Sequence, residues 1–356
     1  MEDNAIYYFV GKLQKYKGLK GISMKKLISL LLVTVMVLSL FVGCSGDQKQ
    51  DETITTEATQ SAEEAAVLKV LTIGNSHTVD ANQMLYEVFQ AENPDQEVVI
   101  YHLYKGGCKL SEHAEFMTNN EPAYTLYKAV DGGWQQVKNY TAMYALMDQV
   151  WDVVIFQEMN RISGVPDGYQ AGYIDTILAY IDQYVQGEPK IGWHLLWTNP
   201  FDYEWVFQPG MPDPGGESAI ESWKNYHQLY YQADTDMMYN AMVEQTNKFI
   251  VSNEAFDFVI PSGTAMLYAR KICGMVDSEL HRDYTHLSDF SRLMVAYLWY
   301  AELMGLEEIT QVNINQIPAS MMHKPVSALE ITEEMKQIIM DSVNYALKNP
   351  MTAPVA

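Results

Sequence analysis

The chain has 356 residues, with 23 Lys and Arg against 45 Asp and Glu, giving a formal net charge of −22. So acidic a surface argues against nucleic acid as a partner and against a basic membrane-binding face. Three cysteines make neither a disulfide framework nor a metal-type pair, and the length allows one large domain or two small ones.

Residues 1–43 read as upstream sequence followed by an export signal. Met24-Lys25-Lys26 is a second start, Leu27 to Val42 is apolar with only Ser29, Thr34 and Ser39 interrupting, and Gly43-Cys44 follows. A basic start, a short apolar core and small residues before a cysteine make a secretory signal. The Gly-Cys end resembles a bacterial lipobox, with Phe41 where leucine is usual. That likeness implies cleavage before Cys44, lipid on its thiol and anchorage outside the cytoplasm; a plain signal anchor is the alternative. Residues 44–66 are acidic and rich in Thr, Ser and Gln, with almost nothing to bury, and read as a disordered tether. The folded domain is expected over 67–350.

That domain opens with an apolar run, Val67 to Ile73, which stops at Gly74-Asn75-Ser76 before a helical pattern from about Asp80. A strand breaking into a sharp turn and then a helix lifts one side chain clear of a sheet's carboxyl edge, here the Ser76 hydroxyl. Glu97 to Leu103 is the next strand and ends at Lys105-Gly106-Gly107-Cys108. Trp134 to Lys138 can pair in a hairpin through Asp131-Gly132-Gly133. Trp151 to Gln157, Lys190 to Trp197 and Phe256 to Pro261 are apolar runs of the kind a doubly covered strand shows. Helical patterns at 171–184 and 235–250 lie between them, and two more close the chain at 287–304, with Ser288 as cap, and at 332–347. This alternation predicts an α/β sandwich of three layers around a mainly parallel sheet. Phe201 to Asp234, with a Pro/Gly-rich centre and crowded with Tyr203, Trp205, Phe207, Trp223, Tyr226, Tyr230 and Tyr231, reads as a long loop whose rings either stack on sugars or pack it onto the domain.

A serine becomes a nucleophile only with a base and an oxyanion pocket. Asp283-Tyr284-Thr285-His286 precedes a long helix, and Gly106, Gly107 and the Gln157 amide end other strands. At these residues the sequence resembles the SGNH (GDSL-like) hydrolases. Ile73-Gly74-Asn75-Ser76 is similar to their first block, with Asn75 replacing the usual acid. Gly106-Gly107 stands like the second, and Asp283 to His286 like the last. The third block, usually Gly-x-Asn-Asp, is absent. The strand instead ends Phe156-Gln157-Glu158-Met159-Asn160, closer to the Gln-Gly-Glu-Ser-Asn of the sialate and carbohydrate O-acetylesterase branch.

The resemblance implies a flavodoxin-like fold, no metal or organic cofactor, and a Ser76–His286–Asp283 triad. It also implies an oxyanion hole of the Ser76 amide, a Gly106 or Gly107 amide and Gln157, supported by Asn75, Glu158 and Asn160. The implied substrate is a small ester or an acylated glycan, most of all an O-acetyl ester. The alternative is a surface carbohydrate-binding lipoprotein on the same fold with weak or no catalysis. His77 is expected at the surface or behind the nucleophile. A metal at His281, Asp283 and His286 lacks an HExxH-like pair. Cys108 and Cys273 can pair or stay as thiols, and nothing specifies the oligomeric state.

Overall fold

The computed structural model describes residues 67–130, 133–169, 172–318 and 329–355. The export signal, Cys44 and the tether lie outside these residues. Seven strands form one sheet in the order β4-β3-β2-β1-β5-β6-β7. β1 (Leu68–Gly74) lies at its centre, parallel to β2 (Val98–Tyr104) on one side and to β5 (Val153–Phe156) on the other. β6 (Lys190–Leu195) and β7 (Phe258–Pro261) continue the parallel set. β3 (Tyr124–Val130) and β4 (Gly133–Tyr140) add an antiparallel hairpin at the far edge. The hairpin is longer than the sequence pattern indicated, because Gln135 to Asn139 of β4 are all exposed and leave no apolar alternation to mark the strand.

The central strands are buried almost throughout, as a sheet covered on both faces requires. On one face α1 (Ser76–Asn82), α2 (Leu85–Glu92), α9 (Ser262–Lys271), α11 (Asp289–Met304) and α12 (Glu333–Lys348) pack on one another. A second group is built from α3 (Leu110–Thr118), α4 (Ala142–Met147) and α5 (Tyr173–Tyr184). Among the described helices α11 is the most deeply buried, with every residue from Phe290 to Ala301 buried. The fold is thus the expected layered α/β sandwich around a mainly parallel sheet.

Two local expectations change. The helix after β1 begins at Ser76 itself, capped by the Asn75 side chain, and not at Asp80. The aromatic segment is largely helical: α6 (Tyr203–Val206) precedes α7 (Glu217–Tyr231), and α8 (Thr235–Thr246) follows. α7 buries only Trp223, His227 and Tyr231, spaced four apart on one face. The proline- and glycine-rich stretch is confined to the connection between α6 and α7.

Candidate active site

Strand order does most of the assembly. β2, β1 and β5 are neighbours with Gly74 level with Tyr104 and Ile73 level with Phe156. Their carboxyl ends therefore bring Gly106-Gly107, Ser76 and Gln157 to one edge. Chain order leaves β1 for β2 on one side and reaches β5 on the other, so Ser76 stands at the switch point where open α/β sheets form their crevice. Gly74 is required there: a Cβ would fall 2.1 Å from Thr78 Oγ1.

The last segment closes the site. α10 (Asp277–Leu280) leads into the 281–288 loop ahead of α11. His286 Nε2 lies 2.8 Å from Ser76 Oγ, and His286 Nδ1 lies 2.9 Å from Asp283 Oδ2. Since the Asp283 carboxylate accepts only, Nδ1 carries the proton and Nε2 offers its lone pair to the serine hydroxyl. The backbone N–H groups of Thr285 and His286 also donate to Asp283 Oδ1. Burial alone would raise the Asp283 pKa, but these bonds and the His286 ring outweigh it and hold the carboxyl well below the usual range. Asp283 stays ionised.

The oxyanion side is held by Asn75. Its Oδ1 accepts from the backbone N–H of His77, from His77 Nδ1 at 3.1 Å and from Gln157 Nε2 at 2.8 Å, while its Nδ2 donates to the Cys108 carbonyl. One side chain thus ties β1's turn to both flanking loops. An aspartate at position 75 would set a carboxylate against the Cys108 carbonyl, so the Asn75 departure suits this site. The Gln157 amide retains a second N–H, the Ser76 amide is an unpaired donor of a helix's first turn, and Gly107 takes φ +63. Glu158 Oε1 accepts from Leu110 N at 3.1 Å and Met159 N at 2.6 Å, locking the start of α3 to the end of β5. Burial, partly offset by those two amides, pushes the Glu158 carboxyl up to about 8. Asn160 donates to the Trp197 carbonyl, and Trp197 Nε1 donates to that of Thr285, linking β6 to the histidine loop.

His77 is not at the surface. It is 6% exposed and stacked on His286 with ring centroids 5.4 Å apart. Burial, with the neighbouring His286, lowers its pKa to about 3, so the ring is neutral. Nδ1–H donates to Asn75, which leaves Nε2 to accept from the Thr285 hydroxyl at 2.8 Å. His281 faces the Thr198 carbonyl at 3.1 Å, away from a shared ligand set with Asp283 and His286. Cys108 and Cys273 are both free thiols.

Asp80 is the residue that sequence reasoning missed. Fully buried on α1, it accepts from Arg282 Nη1, from Arg292 Nε and Nη2, and from the Leu287 N–H. Burial opposes its charge, but Arg282 and Arg292 outweigh that and set the carboxyl at about 2. The helix carrying Ser76 is thereby clamped to the loop carrying His286. An ionisable residue four positions after the nucleophile, amid apolar and small neighbours, was the available signal. A cavity of about 1240 Å³ reaches Ser76, Tyr104, Arg282 and His286 and extends towards Cys273 and Met335.

A switch-point serine in reach of a histidine and its carboxylate, on a mainly parallel sheet, is the arrangement of a serine hydrolase. The chain belongs to the family described as domain of unknown function DUF4886, whose model matches residues 69–204 and 218–320. It is similar to a DUF4886 family protein from Bacteroides uniformis ATCC 8492, with 25% identity and TM-score 0.63, covering 81% of this chain and 98% of that one. A protein from Slackia heliotrinireducens described as a candidate SGNH hydrolase is 18% identical, with TM-score 0.38 over 67% of this chain and all of the other. A Clostridium thermocellum family 3 carbohydrate esterase is 12% identical, with TM-score 0.35 over 67% and 98%. No curated protein matches the sequence.

Proposed function

We infer that the protein is an SGNH-type serine ester hydrolase acting on O-acyl, above all O-acetyl, esters of carbohydrate. Ser76 Oγ attacks the ester carbonyl carbon and passes its proton to His286 Nε2. The carbonyl oxygen becomes an oxyanion, met by the Ser76 amide, a Gly106 or Gly107 amide and Gln157. The oxyanion collapses, the bond between the acyl carbon and the sugar oxygen breaks, and His286 returns the proton to that oxygen as the alcohol departs. Water, deprotonated by the same histidine, releases the acid from Ser76 by the reverse steps. No metal or cofactor enters this sequence. The observation that carries the reading is the continuous Ser76–His286–Asp283 chain of hydrogen bonds.

Secretion and lipid anchorage through Cys44 belong to the same proposal and rest on the amino-terminal pattern. Palmitate labelling of the wild type and its loss in Cys44→Ala test them. For the chemistry, acetate release from p-nitrophenyl acetate and from acetylated glycans is the direct assay. Activity that disappears in Ser76→Ala supports the reading. No release from any ester by the folded wild type favours the second reading, a carbohydrate-binding protein, for which the exposed Tyr230 and half-buried Tyr226 of α7 are the specific observation.

A further inference from the structure

The chain has only four arginines among its 356 residues. Three of them meet aspartates: Arg270 with Asp277, Arg282 with Asp80, and Arg292 with Asp80 and Asp289. Arg161 has no such partner. Among the described residues no carboxylate comes within ion-pair distance of it, in a chain where acids outnumber bases almost two to one. Its Nε is buried without a hydrogen-bond partner. What the guanidinium does touch is aromatic: its centre sits 5.7 Å above the Trp223 ring and 4.9 Å above that of Tyr226.

This arginine lies beside the proposed active site. It follows Gln157 by four residues, in the short turn of Asn160–Ile162 that leaves β5's carboxyl edge. Trp223 packs edge-on against Tyr284 with centroids 4.9 Å apart, and Tyr284 lies 6.5 Å from the His286 ring. Ring contacts in series therefore connect the base to the guanidinium, through a residue of the histidine loop itself. The Tyr231 hydroxyl, bonded to the Arg161 carbonyl at 2.8 Å, fixes the turn on α7. A guanidinium lying over two rings is held in orientation, while its terminal Nη donors, for which no hydrogen bond forms among the described residues, remain for a planar anion.

We propose that Arg161, with Trp223, Tyr226 and Tyr284, forms a subsite for a carboxylate carried on the alcohol part of the ester, so that the preferred substrates are acyl esters of acidic sugars. The half-buried rings of Tyr226 and Tyr284 offer apolar faces to the pyranose, buried Trp223 backs the guanidinium, and Arg161 takes the sugar's carboxylate in a bidentate pair. An acidic protein repels anionic glycans in general, so the unpaired arginine supplies the attraction locally where the sugar must dock. The ester preference rests on the hydrolase reading above; the binding of the acidic sugar does not.

Two measurements separate them. The first compares kcat/KM for mono-O-acetylated methyl glucuronoside, methyl glucoside and methyl glucoside phosphate. The wild type is expected to favour the uronate about tenfold or more over the neutral sugar, a charge-assisted pair's worth. Arg161→Met should bring that ratio close to one, and Arg161→Lys should keep part of it. The second titrates unacetylated methyl glucuronoside into Ser76→Ala protein, following tryptophan fluorescence. Saturation that methyl glucoside does not reproduce, lost in Ser76→Ala/Arg161→Met, supports the subsite even if no ester is ever cleaved. A uronate preference unchanged in Arg161→Met, a preference for the phosphate, or equal binding of uronate and glucoside overturns it.

Discussion

Asn75 shows how much one side chain can decide. With four hydrogen bonds it holds the Ser76 turn, the Gln157 amide and the loop that bears Gly106 and Gly107 in a fixed relation. Asn75→Asp should lower kcat on p-nitrophenyl acetate by at least tenfold, because the Cys108 carbonyl then faces a carboxylate instead of a donor. Gln157→Ala, which removes one oxyanion donor outright, should cost about 10²–10³ in kcat with KM little altered. A loss expressed mainly in KM would contradict an oxyanion role for Gln157. Glu158 is testable through its proton. Its folded carboxyl titrates at about 8, above the ordinary glutamate value of 4.5. Between these values the folded state holds a proton that the unfolded chain has released, so stability falls as pH rises from 4.5 to 8. Glu158→Gln keeps the acceptor for Leu110 and Met159 without that titration. Its melting temperature should therefore gain on the wild type between pH 5 and pH 8, and a difference constant across that range would show that Glu158 is not a buried acid.

Among elements, the join between α1 and the 281–288 loop carries the most. Arg292 and Asp80 are largely buried, so removing the Asp80 charge leaves the Arg282 and Arg292 guanidiniums under-compensated, with Asp289 the remaining partner of Arg292. Asp80→Asn should destabilise the fold by about 3–5 kcal/mol, read by urea unfolding, and should loosen His286 in the protein that still folds. The sign of the pH effect follows from the depressed carboxyl. Asp80 contributes its full stabilisation above its ordinary 3.8, and that is lost as pH falls towards about 2. Acid unfolding of the wild type should thus steepen below pH 4, and Asp80→Asn should flatten it. An acid limb identical in the two proteins would contradict the clamp. This join was not legible in the sequence. Its partners are more than 200 positions apart, and no local period relates them. β1, β5 and their turns were legible, because burial on both faces leaves an unbroken apolar run and Gly74 punctuates it. α7 was hidden for the opposite reason. It buries only three of its 15 residues, so Pro209 to Gly216 and the crowd of rings spoke louder than its period.

At the scale of the whole molecule, the topology carries three widely separated segments to one edge. Ser76 comes from the first strand of the domain, Gln157 from its neighbour β5, and His286 from more than 200 residues later. Family-like blocks in the right order predict this convergence, and the strand order β2-β1-β5 delivers it. The sequence could not show that His77 lies beneath the His286 imidazole, since the neighbour of Ser76 turns either way depending on the helix that starts there. The same topology brings Arg161 and α7 to the histidine loop through Trp223 and Tyr284. One measurement probes the convergence directly: treatment of the folded protein with a fluorophosphonate, followed by peptide mass mapping. Activation of Ser76 by His286 predicts a single adduct on Ser76, absent from Ser76→Ala and strongly slowed in His286→Ala. A folded wild type that stays unlabelled, or one labelled at the same rate without His286, would contradict the account.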